Sequence, residues 1–304
     1  MNKAYQLIIL GGGPAGLTAG IYAARNKLPT LLIEKIMPGG LIAMSEWVEN
    51  YPGFPEGISG LDLGEKIQKQ AEKFGLEVLN TEADGLKVSQ TIKTLKTSEG
   101  EFTARAVIIA CGSDRINLNV RGEKQFTGRG VSYCATCDAA FFRDQVVAVV
   151  GGGNSAVSEA IHLTKFASRV IVIHRRDQLR AAKIVEEKAR SEPKISFVWN
   201  STVTSVEGSN KVEQLQLLNL VTGQKSALPV SGIFVSVGQK PNTDFLKGVI
   251  PLDAGGYIIT NEKMETSVPG VLAAGDIRSN SIRQAISAAG DGATAEIYAE
   301  RFLG

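Results

Sequence analysis

The chain has 304 residues, of which 43% are hydrophobic and 21% charged, with a formal net charge of +2. That length suits two domains, the composition is ordinary for a globular protein, and Lys and Arg spread along a nearly neutral chain speak against a nucleic-acid partner. The longest apolar runs, 7–10 and 146–150, fall far short of the roughly 20 residues of a membrane-spanning helix. Three cysteines are too few for a secreted disulfide framework, so a cytoplasmic location with no membrane partner is expected.

In chain order, residues 5–10 form a short apolar run closed by glycines, 14–26 follow with helical spacing, and 30–33 are apolar again and end at Glu34. This is a strand–turn–helix–strand unit, with Pro14 at the helix start, where its missing N–H costs nothing. Residues 37–60, rich in Gly and Pro, read as a long functional loop. Leu63, Ile67, Ala71 and Phe74 mark an amphipathic helix, and strand signals run to Ala110 with a hairpin turn at Glu99-Gly100. A second copy of the opening follows: strand 146–150, turn Gly151-Gly152-Gly153, helix 154–166, strand 170–173. The copies keep step, since Glu34 lies 23 residues after Gly11 and His174 lies 23 residues after Gly151. A last strand, 271–274, leads into Gly275-Asp276, and a final helix covers about 282–302. The expected class is α/β, with two Rossmann-like doubly wound dinucleotide-binding units.

The first fingerprint is Gly11-Gly12-Gly13-Pro14-Ala15-Gly16. Its glycines permit a tight turn, close approach of a pyrophosphate and close helix packing, and the helix N-terminus faces the phosphates. Glu34 stands where a carboxylate accepts hydrogen bonds from ribose hydroxyls. The second fingerprint is Gly151-Gly152-Gly153-Asn154-Ser155-Ala156. There the matching position is His174, followed by Arg175, Arg176 and, further on, Arg180. Guanidiniums bind phosphate in a bidentate manner, so this site is expected to read the 2′-phosphate of NADPH. Two nucleotide sites are redundant unless the nucleotides differ, which leaves a flavin for the first.

Between the fingerprints lies Cys134-Ala135-Thr136-Cys137-Asp138. The pair reads as a redox-active disulfide, a zinc half-site short of two ligands, or an inert structural bridge. Asp138 can move a proton during thiol–disulfide exchange or cap a helix, and the two roles are compatible. Cys111, after a strand, reads as a core thiol, and His162 as a packing residue. No metal site is expected.

These motifs, together with VENYPG at 48–53, HRRDQLRA at 174–181, GD at 275–276 and RQA at 283–285, make the chain resemble the low-molecular-weight thioredoxin reductase family over essentially its full length. The resemblance implies FAD and NADPH as cofactors, a homodimer, and a discontinuous FAD domain, 1–111 with 242–304, flanking an NADPH domain, 112–241. It implies FAD contacts from Gly40, Asn50, Gly275, Asp276, Arg283, Gln284 and Ala285. It makes Cys137 the flavin-side sulfur, Cys134 the thiol that attacks thioredoxin and Asp138 the proton donor, and puts Arg129, Phe141 and Phe142 near the docked thioredoxin. Two departures stand out: Leu41 where the family usually has Gln, and Ala139 where Gly commonly follows Cys-Asp.

Overall fold

The computed structural model describes residues 4–45 and 47–304. The chain divides into two compact units, one made of the described residues up to Asp114 together with Lys240–Gly304, the other of Arg115–Gln239. The first opens with β1 (Ala4–Leu10), α1 (Pro14–Arg25), β2 (Thr30–Glu34), α2 (Gly60–Lys73) and β3 (Glu77–Asn80). A meander follows, β4 (Ala83–Val88), β5 (Lys93–Thr97) and β6 (Gly100–Ile109), before β7 (Ser113–Arg115) leads out. The second unit runs β8 (Val131–Ser132), α3 (Ala135–Asp138), β9 (Val146–Val150), α4 (Asn154–Leu163), β10 (Arg169–Ile173), α5 (Lys183–Ser191) and β11 (Ile195–Val198). Its own meander is β12 (Ser201–Glu207), β13 (Gln214–Asn219) and β14 (Lys225–Pro229), then come β15 (Gly232–Val235) and β16 (Gln239–Pro241). The chain closes in the first unit with β17 (Val271–Ala273) and α6 (Ala285–Leu303). It crosses between units within β7 and again within β16.

Each unit combines a parallel sheet with an antiparallel meander. In the first, β3, β2, β1, the second half of β6 and β17 run parallel, while the first half of β6 pairs with β5 and β5 with β4. In the second the parallel order is β11-β10-β9-β15-β8, and β12-β13-β14 form a separate sheet. A parallel strand covered on both faces must be apolar throughout. Accordingly Leu7 and Ile9 of β1 join one core and Ile8 and Leu10 the other. β1 lies between β2 and β6, and β9 between β10 and β15. Each is the switch point of its sheet, where ligands of doubly wound folds bind beyond the strand ends. Both glycine-rich turns leave from there.

The local sequence sets the helix ends. Ser59 caps α2, its Oγ accepting from the Asp62 N–H at 3.0 Å. α4 stops at Leu163 instead of 166, because the N–H groups of Lys165 and Phe166 tighten onto the carbonyls of His162 and Leu163 three residues back. α6 starts at Ala285, not 282, because Arg283 takes a left-handed φ of 61°. The 37–60 loop contains a 3-10 turn, Gly40–Met44, and an antiparallel bridge between Val48 and Ile58. Among the described residues, no helix is long and apolar enough to cross a membrane.

Candidate active site

The first glycine turn is shaped by backbone contacts. Gly11 has φ 103°, and a Cβ there would overlap the Ala110 carbonyl; one on Gly16 would overlap the carbonyl of Gly11. By contrast, a Cβ on Gly13 would meet nothing within 4 Å, so the turn leaves open space where the fingerprint needs a pyrophosphate. Pro14 and Ala15 begin α1 behind it. The Glu34 carboxylate accepts from the N–H of Gly12 at 2.6 Å and of Ile36 at 2.9 Å, which fixes its position at the end of β2.

Other parts of the first unit pack against this turn or against one another. The Gly39 N–H donates to the Gly12 carbonyl at 2.7 Å, and Gly40, with φ 58°, sits where a Cβ would come 3.2 Å from the Gly13 Cα. Asn50 Nδ2 donates to Gln284 Oε1 at 3.3 Å, joining the 37–60 loop to the segment before Ala285. The Arg283 guanidinium lies 5.6 Å over the Tyr257 ring and donates to its hydroxyl at 3.2 Å. A Cβ on Gly275 would lie 3.0 Å from that of Ala15, and one on Gly292 would overlap the Ala15 carbonyl, so α6 is held against α1 by small residues. Asp276 Oδ1 accepts from Ser281 at 2.8 Å; burial pushes its carboxyl up, opposed by that bond and by Arg283.

Sequence reasoning missed the pair beneath this segment. Asp291 of α6 accepts from the Gly275 N–H at 3.0 Å and takes a bidentate bond from Arg278, at 2.6 and 2.9 Å. The available signal was an acid set among the Ala and Gly residues of the helix. A carboxylate buried there needs charge-assisted partners.

The second turn repeats the backbone and changes the side chains. A Cβ on Gly151, φ 150°, would overlap the Ser236 carbonyl, and Gly153 again faces open space. Ala156 replaces the third glycine and is buried. Asn154 and Ser155 are exposed at the first turn of α4. His174 is buried beneath Gly152, whose Cβ would run into the imidazole ring, and its Nε2 has no hydrogen-bond partner among the described residues. Burial, then Arg180, Arg176 and Arg175, hold its pKa below the usual value, opposed by a backbone hydrogen bond with Gln178. The three arginines are exposed, and among the described residues none forms an ion pair.

Cys134 and Cys137 are joined as a disulfide, with Cα atoms 5.3 Å apart. Among the described residues no group of three or more His, Cys, Asp and Glu is placed to hold a metal ion. Cys134 caps the short α3, its Sγ accepting from the Cys137 N–H at 3.2 Å. That leaves Asp138 at the end of α3, so it is not the cap of that helix. Its Oδ2 instead accepts from Ser132 Oγ at 2.6 Å, and Ser132 Oγ accepts from the Cys134 N–H at 3.1 Å. Burial raises the Asp138 pKa; the Ser132 bond and Arg115 lower it. Ser132, also missed from sequence, therefore joins the acid to the dithiol turn. Cys137 is exposed and Cys134 half-buried.

Phe142 is buried against Phe234, ring centroids 5.2 Å apart, which leaves Phe141 and Arg129 as the exposed members of the expected docking trio. Cys111 bonds weakly to the Leu10 carbonyl and packs against the core, its thiol pushed up to about 12 by burial and then by Glu34. His162 packs on Phe166, centroids 5.6 Å apart.

The chain matches the pyridine nucleotide-disulphide oxidoreductase family over residues 5–292. It is 45% identical to a thioredoxin reductase from Peptoclostridium acidaminophilum, over 100% of this chain and 98% of that one. A bifunctional thioredoxin reductase/thioredoxin from Mycobacterium leprae is 44% identical over 98% of this chain and 66% of its own length. Among solved structures, the thioredoxin reductase of Streptococcus pyogenes superposes with a TM-score of 0.96 at 43% identity, covering 100% of this chain and 99% of that one.

Proposed function

The chain belongs to the pyridine nucleotide-disulphide oxidoreductase family, and from that premise we propose that it works as an NADPH-dependent thioredoxin-disulfide reductase containing FAD. The observation that carries this reading is the Cys134–Cys137 disulfide, in a chain with one glycine turn closed by a carboxylate and another flanked by three exposed arginines. Both turns fit a dinucleotide, since Gly13 and Gly153 leave the space a pyrophosphate would fill.

In this reading the unit holding Glu34, Asn50, Asp276 and Arg283–Ala285 takes FAD, and the unit holding Arg175, Arg176 and Arg180 takes NADPH. When bound, the two supply a hydride and pass its electron pair on to the disulfide. The chain's own residues do the rest. Reduction breaks the Cys134–Cys137 bond, leaving the flavin-side Cys137 and the partner-side Cys134 as thiol and thiolate. Asp138, held by Ser132 beside the turn, holds or releases the proton between them. Cys134 Sγ then attacks one sulfur of the thioredoxin disulfide, forming a mixed disulfide and expelling a thiolate. Cys137 Sγ attacks Cys134 Sγ, which releases reduced thioredoxin and restores the internal disulfide.

The relative that carries reductase and thioredoxin in one chain supports thioredoxin as the partner. A homodimer belongs to the same reading, supported by apolar side chains such as Met44, Trp47 and Phe74 at the surface of the first unit. So does a cytoplasmic setting, supported by the low cysteine count.

The test pairs an anaerobic NADPH titration of the visible spectrum with trapping by the two cysteine variants. A yellow protein bleached by NADPH is expected. Cys137→Ser should accumulate a mixed disulfide with a thioredoxin lacking its resolving cysteine, seen on a non-reducing gel, and Cys134→Ser should not. Equal trapping, or trapping by Cys134→Ser alone, overturns the assignment of the two sulfurs.

A further inference from the structure

The two glycine turns share a backbone device and differ in one side-chain contact. In the first unit the loop after β2 donates the Gly39 N–H to the Gly12 carbonyl at 2.7 Å. In the second the loop after β10 does the same, with the Arg180 N–H on the Gly152 carbonyl at 2.6 Å. The second then has a further bond, in which Asn154 Oδ1 accepts from the Ala182 N–H at 2.7 Å. The first unit has Pro14 at the corresponding place in its fingerprint, which carries no acceptor.

We infer that Asn154 is a positioning residue for cofactor selectivity, holding the arginine-bearing segment in register with the phosphate-binding turn. A single NADPH molecule fixes the distance between its pyrophosphate and its 2′-phosphate. The protein must therefore fix the distance between the turn at 151–153 and the arginines at 175–180, which belong to different stretches of chain. The start of the segment is anchored from the other flank: His174 N–H donates to Val198, and Asn200 N–H to the Arg176 carbonyl, at 2.9 and 3.1 Å. Its far end has no regular structure until α5 begins at Lys183, and Ala182, the residue before α5, offers no capping side chain. Asn154 satisfies the N–H of Ala182 from across the site. Unlike the Arg180–Gly152 bond, this contact is made by a side chain and can be removed by substitution.

The inference rests on the arginines reading the 2′-phosphate, so the test measures both. Steady-state kinetics with NADPH and with NADH are compared for the parent, Asn154→Ala, Arg180→Ala and the double variant, with flavin absorbance as a check on folding. Asn154→Ala should lower the ratio of kcat/KM for NADPH to that for NADH by roughly three- to tenfold, the size of one neutral hydrogen bond. The change should lie in KM. In the Arg180→Ala background the same substitution should add little, because the group it positions is gone. An equal loss with both cofactors means that Asn154 touches the shared part of the nucleotide and overturns the inference, as does an unchanged ratio. If Arg180→Ala itself leaves the ratio intact while Asn154→Ala lowers it, the arginine assignment fails and the positioning role falls with it.

Discussion

The turns at 11–16 and 151–156 have nearly the same backbone and opposite surroundings. Both open with a glycine of positive φ pressed against a neighbouring carbonyl, and both put a third glycine against open space. The first is then flanked by acids: Glu34 on the Gly12 N–H, Asp276 and Asp291 beneath Gly275. The second is flanked by bases, with His174 under Gly152 and Arg175, Arg176 and Arg180 outside. In the proposed function the shared backbone serves what all dinucleotides share, the pyrophosphate. In that same reading the side chains at the end of the next strand separate the two ligands, a carboxylate suiting ribose hydroxyls and guanidiniums a phosphomonoester. Even the third fingerprint position follows local packing. A Cβ on Gly16 would strike the carbonyl of Gly11, whereas Ala156 is accommodated in the core of its own unit.

The largest effect should come from filling the shared space. Gly13→Val and Gly153→Val meet no protein atom at the Cβ position, so both variants should fold and lose only their nucleotide. Gly13→Val should purify colourless and resist reconstitution with FAD. Gly153→Val should stay yellow but no longer be bleached by NADPH at concentrations that bleach the parent. Absorbance spectra before and after NADPH check both. If Gly153→Val were the colourless variant, the two assignments would be exchanged.

The next effect separates the flanks. Each charge-assisted hydrogen bond to phosphate contributes about 1.5–3 kcal/mol. Replacing Arg175 and Arg176 together by Ala should therefore weaken NADPH by roughly 3–6 kcal/mol, a hundredfold or more, with a much smaller change for NADH. Glu34 on the acid side should show no such selectivity. Equal losses for the two reduced cofactors would mean that the arginines act as a general positive field.

The features legible in sequence were those with a fixed local geometry. Glycine turns at strand ends, the C-x-x-C spacing and the 23-residue step to Glu34 and to His174 are imposed by chain geometry over short distances. What escaped depends on long-range or conformational detail. Ser132 precedes the dithiol turn by two residues, but its bond to Asp138 exists only once the short α3 brings the two side chains together. Asp291 belongs to no local motif, and its bond to Gly275 depends on α6 packing beside β17. The helix start at 285 was misplaced because a left-handed arginine gives no pattern in hydropathy. Phe141 and Phe142 are identical in sequence terms, and only the packing against Phe234 decides which of them is exposed.

The smallest expected effect is on stability, and it turns the acid–base contrast into a pH experiment. Glu296 of α6 is fully buried; among the described residues its Oε2 has no partner and its Oε1 takes a long bond, 3.5 Å, from Asn26. Burial first, then Glu300, raise its pKa from 4.5 to about 7, while Asn26 opposes them. A raised carboxyl pKa means that the folded unit favours the protonated form. Its contribution is fully present below pH 4.5 and is lost as pH rises through about 7. The loss is on the order of 3 kcal/mol. His174 has the opposite sign: its pKa is lowered from 6.5, so its contribution is present above 6.5 and is lost as pH falls below that value. The first unit should thus weaken on the alkaline side and the second on the acid side. Glu296→Gln keeps the shape and removes the titration. It should match the parent near pH 5 and unfold several degrees higher at pH 8, where the parent must hold a buried anion. Melting curves of the holoprotein between pH 5 and 8 provide the measurement. Parallel Tm profiles for parent and variant would show that Glu296 does not carry the alkaline loss, and the contrast between the units would then be confined to their nucleotide sites.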